Sequence, residues 1–335
     1  MDEAKLSAVA GKDYPSTWND FLDWFGTEEA CQAYLEALRW PLGFVCPRCA
    51  SAGPAYRASR GRLMCRECRH QTSVGAGTIF DKTRTPLRVW FAAAWYLTNQ
   101  KQGVSALGLQ RVLGLSSYET AWAMLHRFRR AMVRPDRERL KGTVEVDESY
   151  LAIGDKEASK TVSRRKSRTS KTLIAVAVER LTPKGFGRIR LRRIAEGSEM
   201  HLLPFVRDAV EPGARVHTDG SAAYRGIAAL GYEHNRTVML GSTVPAHESM
   251  PGVHRVASLV QRWILGTHHG AIQPAQLDYY LDEFVFRFNR RTSRSRGLLF
   301  YRLLEQAVVT NPVTYDAVVQ QKRRRRSRSA VELSG

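Results

Sequence analysis

The sequence predicts an α/β protein in which a mixed β-sheet follows a cysteine module and several helices. The first observation is the alternation of apolar and acidic residues over 142–151, which is typical of a strand with one buried face. The second is the order of elements after residue 142, where three strands precede a helix, so that a strictly alternating doubly wound fold is excluded. The third is a pair of C-x-x-C motifs ahead of these strands.

Length and charge narrow the class of function. The chain has 335 residues, enough for two or three domains, and a formal net charge of +20 with an isoelectric point near 10.2. This charge predicts a polyanionic partner. Nucleic acid is favoured over a membrane, because no lipidation signal, signal-peptide pattern or apolar run of spanning length is found.

The cysteine module is predicted to be a zinc ribbon. Cys46 and Cys49 form one C-x-x-C pair and Cys65 and Cys68 form the other, a spacing that lets four thiolates surround Zn²⁺. Four merely packed cysteines would be an unusual coincidence at this spacing. Since four protein ligands leave no open position, the zinc is expected to be structural. The fifth cysteine, Cys31, is expected to be a buried core residue.

Helical periodicity follows the module. Residues 86–100 predict a core helix, and 105–113 with 117–132 predict a helix-turn-helix around a glycine-containing turn. A helical hairpin without DNA-binding function has the same pattern. In the second helix, the residues expected to face inward are Trp122, Leu125, Phe128 and Met132, and those expected elsewhere are His126, Arg127, Arg129 and Arg130.

The remaining elements build the sheet and its helices. Strands are predicted at residues 144–151, 173–178, 188–194, 215–219 and 232–238, and helices from residue 198 and at 222–230, 252–266 and 275–291. Residues 154–171 predict a mobile basic loop and residues 322–329 a disordered basic tail.

Two aspartates are candidate ligands of catalytic metal ions. Asp147 lies in the first strand of the sheet and Asp219 ends the strand at 215–219. Tertiary folding can bring them together, and paired carboxylates of this kind hold the divalent ions of phosphoryl transfer. The alternative is that both are solvated residues at strand ends.

Several stretches together resemble a known family. They are the cysteine knuckles, V-E-V-D-E-S-Y, V-H-T-D-G, and the block from P-G-V-H-R to F-N-R-R. These resemble bacterial insertion-sequence transposases with an N-terminal zinc ribbon and a ribonuclease-H-like DDE catalytic domain. The resemblance implies Mg²⁺- or Mn²⁺-dependent cleavage of DNA at the element's ends, followed by attack of the freed 3′-hydroxyl on target DNA. It also implies terminal inverted repeats as partners, a homodimer or higher homo-oligomer on DNA, and a cytoplasmic, nucleoid-associated protein.

The family's site residues carry over onto four positions. Asp147 and Asp219 match the first two catalytic aspartates, and the third acidic position falls on His254. Gln261 stands where the family usually has lysine; it is expected to hydrogen-bond a phosphate without neutralising it, with Arg262 as partial compensation. Glu248 is the competing third ligand.

The resulting domain prediction has five parts. Residues 1–40 are a helical lead-in, 41–80 the zinc ribbon, 81–135 the helix-turn-helix region, 140–310 the catalytic domain and 311–335 the basic tail. Two further functions stay open: a non-catalytic, sequence-specific DNA-binding protein derived from a transposase, and, more weakly, a ribonuclease or resolvase of the same fold.

Overall fold

A computed structural model describes residues 8–134, 136–154, 169–237 and 249–319. The predicted basic loop lies mostly outside these ranges. The predicted disordered tail at 322–329 and Glu248 lie wholly outside them. No helix among the described residues combines the length and the apolar character that crossing a bilayer requires.

The described elements follow the predicted order. The strands are β1 (Tyr56–Arg57), β2 (Leu63–Met64), β3 (Gln71–Thr72), β4 (Thr143–Gly154), β5 (Thr169–Arg180), β6 (Phe186–Arg193), β7 (Arg215–Asp219) and β8 (Glu233–Thr237). The α-helices are α1 (Trp18–Trp24), α2 (Glu28–Arg39), α3 (Leu87–Asn99), α4 (Ala106–Leu113), α5 (Tyr118–Ala131), α6 (Glu199–Ala209), α7 (Pro251–His268), α8 (Leu277–Phe288), α9 (Arg296–Ala307) and α10 (Tyr315–Val319). A 3₁₀ helix spans Ala222–Leu230.

The main sheet has five strands in the order β6-β5-β4-β7-β8. β4, β5 and β6 form an antiparallel meander, whereas β7 and β8 run parallel to β4. The parallel strands require crossover connections, and α6 and the 3₁₀ helix at Ala222–Leu230 provide them. This mixed, ribonuclease-H-like sheet with a zinc-ribbon module ahead of it confirms the predicted fold class.

Both faces of the sheet are buried. Val144 and Val146 point into a core with α6, whereas Leu151 and Ile153 point into a second core with α7 and α8. Side chains alternate between faces along a strand. The face that carries Asp147 is therefore the face covered by α7 farther along β4, rather than an open surface.

The N-terminal helices share a core with a late helix. The rings of Phe21 and Phe91 each lie against Phe300 of α9, with centroids 5.7 and 5.8 Å apart. Helices α1 to α5 and α9 contribute to this one cluster of buried residues. The core of the N-terminal helices therefore includes α9, which the prediction placed in the catalytic domain. This packing joins elements that are distant in sequence.

The second helix of the predicted helix-turn-helix, α5, is a core helix. Its turn forms as expected, because Gly114 adopts a left-handed conformation at φ 63° and Ser117 caps α5. However, His126 is 0% exposed and Arg129 is 1% exposed. Their predicted position away from the core is wrong. The physical reason is α8, which covers the second face of α5 and leaves only its first turn exposed.

A buried ion pair joins α5 to α8. Arg129 Nε donates to Glu283 Oε2 at 2.8 Å, and the guanidinium lies 3.9 Å from the centre of the Tyr280 ring. Glu283 is also 3.3 Å from Arg287 Nε and is itself fully buried. The two guanidiniums share one carboxylate, which lowers the pKa of Glu283 against the opposing effect of burial.

We expect Glu283→Gln to destabilise the protein by about 3–5 kcal/mol, because it leaves two buried guanidiniums without an anion. Urea unfolding followed by tryptophan fluorescence measures the change. The matched control is Asp208→Asn, which removes an exposed carboxylate paired with Arg192 and should cost about 0–1 kcal/mol. Equal losses in the two variants would contradict a structural role for the buried pair.

Candidate active site and metal centre

The four paired cysteines come together in the structure. Their sulfur atoms all lie within 4.8 Å of one another. The separations are 3.6 Å between Cys46 and Cys68 and 3.7 Å between Cys49 and Cys65. A tetrahedron with Zn–S bonds of about 2.3 Å has S···S edges of about 3.8 Å. The cysteines are thus positioned to bind zinc, as predicted.

Cys31 lies apart from this group. It is fully buried on α2, where burial raises the pKa of its thiol to about 12. A thiol in this state is protonated and inert. The prediction of a core cysteine is confirmed.

Asp147 and Asp219 lie on neighbouring parallel strands. β4 and β7 pair in register from Thr143 with Arg215 to Glu145 with His217. Continued for two residues, this register would place Asp147 opposite Asp219, and the charge of Asp219 does contribute to the raised pKa of Asp147. Both side chains then point to the same face of the sheet. The chain thus brings together two residues that are far apart in sequence.

Burial dominates the electrostatics at Asp147, and neighbouring carboxylates reinforce it. Burial raises its pKa to about 7, and the negative charges of Glu148, Asp219 and Glu145 add to this effect. The backbone N–H of Glu148 opposes it by donating to Asp147 Oδ1 at 2.8 Å. The backbone N–H of Ser221 donates to Asp219 Oδ1 at 2.9 Å. A site that disfavours its own negative charge in this way is suited to a cation.

Sequence reasoning missed Glu148. It points to the opposite face of β4 from Asp147, where the hydroxyl of the buried Tyr224 donates to its Oε2 at 2.6 Å. Burial raises the pKa of Glu148, with a further contribution from Asp219. The available signal was its position on the face that Val144 and Val146 identify as apolar, where a carboxylate requires a partner.

His254 lies on α7 and is half-buried. Throughout the part of the chain with described coordinates, the cysteine group is the one set of three or more ligating side chains close enough to share an ion. His254 therefore does not join Asp147 and Asp219 in such a set. Its rival, Glu248, lies outside the described residues.

Gln261 is engaged by the main chain of β4. Its Oε1 accepts from the N–H of Ala152 at 2.9 Å, and its Nε2 donates to the carbonyl of Ala152 at 3.3 Å. The carboxamide thereby bonds both polar groups of one residue, as a neighbouring strand would. In this arrangement its hydrogen bonds go to the backbone, whereas the sequence predicted a contact with phosphate.

Glu145 anchors the start of α7, another role that sequence reasoning missed. Its Oε2 accepts from the N–H of Gly252 at 2.6 Å and of Val253 at 3.0 Å, and its Oε1 pairs with Arg180. A Cβ at Gly252 would meet Glu145 Oε2 at 2.6 Å, so a side chain there would displace the carboxylate from the helix start. The buried carboxylate offsets the positive end of the helix and ties α7 to the strand that carries Asp147.

Comparison with known proteins agrees with this geometry. Residues 139–289 match the ISXO2-like transposase domain, and residues 26–71 match the transposase zinc-ribbon domain. Over these two regions the chain is similar to insertion-sequence transposases. A relative from Halobacterium salinarum, described as an uncharacterized protein in transposable element ISH50, is 25% identical over 277 residues. The similarity covers 78% of this chain and 91% of the relative.

The two matched regions contain the candidate active-site residues and the paired cysteines. The transposase domain includes Asp147, Asp219, His254 and Gln261, and the zinc-ribbon domain includes all four paired cysteines. The zinc-ribbon match begins at residue 26, just before α2, and so lies upstream of the predicted start at residue 41. The family assignment made from the sequence is confirmed.

Proposed function

We propose that the protein is a DDE-type DNA transposase. It hydrolyses a phosphodiester bond at each end of its element and joins the freed 3′-hydroxyl to target DNA. The observation that carries this proposal is the position of Asp147 and Asp219 on the same face of adjacent parallel strands. These carboxylates belong to a chain of net charge +20, which favours a polyanionic substrate.

Asp147 and Asp219 would hold Mg²⁺ or Mn²⁺, which prefer carboxylate oxygens. Burial, reinforced by the neighbouring carboxylates, raises the pKa of Asp147, and a bound cation would offset both effects. When bound, paired ions stabilise the attacking and the leaving oxygen of the displacement. The N–H groups of Glu148 and Ser221 fix the orientation of the two carboxylates. Glu145 holds α7 in place over the same face.

His254 is the third member of the proposed site, with Glu248 as its rival. His254 lies in the first turn of α7, one residue after the N–H groups that Glu145 binds. Through this contact, the position of His254 depends on β4. Gln261 lies about two turns farther along α7, where it ties the helix to Ala152.

Duplex DNA is the proposed partner, both as terminal inverted repeats and as target. The zinc ribbon supports this with an exposed Tyr56, whose ring lies 4.8 Å from the guanidinium of Arg66 and 5.5 Å from that of Arg69. An aromatic ring beside arginines is suited to contacts with nucleic acid. On DNA the protein acts as a homodimer or higher homo-oligomer.

The test is a cleavage assay with duplexes that carry the terminal inverted repeats of the protein's own element. With Mg²⁺ or Mn²⁺ we expect nicks with free 3′-hydroxyl ends, followed by strand-transfer products on a target plasmid. A reaction without divalent metal is the control. Failure to cut any such duplex under either metal would overturn the proposal.

A second candidate is a DNA-binding protein without catalytic activity. The engagement of Gln261 by Ala152 favours it, because no cationic side chain stands at this position and the carboxamide is already bonded. This candidate predicts that the inverted repeats are bound but never nicked. The same assay, with binding measured in parallel, distinguishes the two.

A further inference from the structure

Tyr224 links the segment after β7 to the neighbouring strand β4. It lies in the 3₁₀ helix at Ala222–Leu230, and its side chain is 0% exposed within the core shared with α6. Its hydroxyl donates to Glu148 Oε2 on β4 at 2.6 Å. A buried hydroxyl needs a hydrogen-bond partner, and a bond to a carboxylate is stronger than one between neutral groups. The contact therefore fixes the two segments to one another.

Glu148 connects this contact to the first candidate metal ligand. Its backbone N–H donates to Asp147 Oδ1 at 2.8 Å. The carboxylate of Glu148 is held by Tyr224 at one oxygen, and at the other Gly197 lies so close that a Cβ there would be 3.0 Å from Oε1. A shift of Glu148 would also shift the N–H group that orients Asp147.

Ser221 connects Tyr224 to the second candidate ligand. The N–H of Tyr224 donates to the carbonyl of Ser221 at 3.3 Å, and the N–H of Ser221 donates to Asp219 Oδ1 at 2.9 Å. The hydroxyl of Ser221 also accepts from the N–H of Ala223 at 3.3 Å. The position of Tyr224 and the orientation of Asp219 therefore depend on the same turn.

These contacts form a continuous path between the two carboxylates. The path begins at Asp147, passes through Glu148, Tyr224 and Ser221, and ends at Asp219. Within this path, the hydroxyl of Tyr224 is the group that crosses from the segment after β7 to β4. The separation of the two carboxylates thus depends on a single side-chain hydrogen bond in addition to the sheet itself.

The bridge lies beyond the backbone pairing of the two strands. The described pairs of β4 with β7 end at Glu145 and His217, two residues before the aspartates. A functional site requires its groups to be held within about 0.5 Å of the productive geometry, which further contacts around those groups provide. The Tyr224 bridge supplies such a contact at the level of the aspartates.

We propose that Tyr224 is a positioning residue of the candidate metal site: its hydroxyl, acting through Glu148, sets the spacing between the carboxylates of Asp147 and Asp219. The inference rests on the proposed function, because it takes these carboxylates as the ligands of a divalent ion. Tyr224 acts through its neighbours, since its described hydrogen bonds go to Glu148 and Ser221. Loss of a group that orients a metal ligand typically lowers metal affinity about 10–100-fold.

The test measures Mn²⁺ binding to the full-length protein without DNA, from the electron paramagnetic resonance signal of free Mn²⁺. Asp147→Asn gives the level of binding outside the candidate site. Tyr224→Phe keeps the buried ring and removes only the hydroxyl, and we expect it to bind Mn²⁺ about 10–100-fold more weakly than the wild type. Glu148→Gln keeps an oxygen that accepts from Tyr224, so its affinity should stay closer to that of the wild type than to that of Tyr224→Phe.

Tyr232→Phe is the matched control. Tyr232 is 5% exposed in the same core, and its hydroxyl donates to the carbonyl of Val210 at 3.1 Å. This variant also loses one buried hydrogen bond, but one that lies outside the path between the aspartates. It should melt at a lower temperature than the wild type and keep wild-type Mn²⁺ affinity. Glu148→Ala removes the bridge from its other end and carries the test if Tyr224→Phe does not fold.

Wild-type Mn²⁺ affinity in Tyr224→Phe would overturn the proposal, as would an equal loss of affinity in Tyr232→Phe. Affinity in Glu148→Gln as low as in Asp147→Asn would make Glu148 itself a ligand, and would also overturn it. So would Mn²⁺ binding that Asp147→Asn leaves unchanged. A protein that shows the expected order of Mn²⁺ affinities but never cuts DNA contradicts the proposed function alone.

Discussion

Asp147→Asn and Asp219→Asn should each abolish DNA cleavage while leaving DNA affinity at the wild-type level. Asparagine keeps the size of the side chain and removes the charge that holds a divalent cation. Affinity comes from basic surfaces elsewhere. We expect each rate to fall by at least about 10³-fold, on the scale seen when a single catalytic group is removed from other enzymes.

The measurement is nicking of inverted-repeat duplexes, with anisotropy as the parallel readout of binding. Asp208→Asn, which removes an exposed carboxylate on α6, is the control and should cut normally. Asp147 is crowded by Glu148 and Asp219, so Asp147→Asn should melt no lower than the wild type in the absence of metal. Normal cutting by either active-site variant would refute its assignment.

Loss of zinc should unfold the cysteine module and leave the main sheet folded. The strands of the module have two residues each, so they bury little apolar surface of their own. The metal must supply most of the free energy that keeps the module folded. The free energy of zinc binding in small zinc modules is about 10–16 kcal/mol. Purified protein should carry one zinc per chain, and Cys65→Ser should lose it.

Zinc content measured with a chromogenic chelator and limited proteolysis of the module provide the two readouts. Cys31→Ala is the matched control: it removes a cysteine that lies outside the cluster, and it should keep one zinc per chain even though it loosens the helical core. A metal-free protein whose module resists protease as before would contradict a structural role for zinc.

The features that the sequence predicted correctly depend on residues that are close together in the chain. The spacing of Cys46 to Cys68 is a property of the sequence, and the alternation along β4 follows from strand geometry. Both are found in the structure. The order of strands and helices likewise predicted the mixed sheet, because each element has its own periodicity.

The features that could not be predicted depend on partners far away in the chain. Arg129 looks like a surface residue of an amphipathic helix until Glu283 on α8 is known to cover it. Glu145 likewise looks like a solvated residue of a strand until the N-terminus of α7 is known to contact it. In both cases a charged side chain is buried by a contact across more than a hundred residues, which no local pattern records.

The side chains of Asn289 and Gln261 have one more consequence. Each carboxamide bonds both the N–H and the C=O of a strand residue, Ile189 on β6 and Ala152 on β4. Exposed strand edges otherwise recruit further strands and lead to aggregation. The backbone N–H and C=O groups of Ile189 and Ala152 are already bonded to a carboxamide. A further strand therefore cannot pair with the sheet at these two residues and must pair elsewhere along its edges.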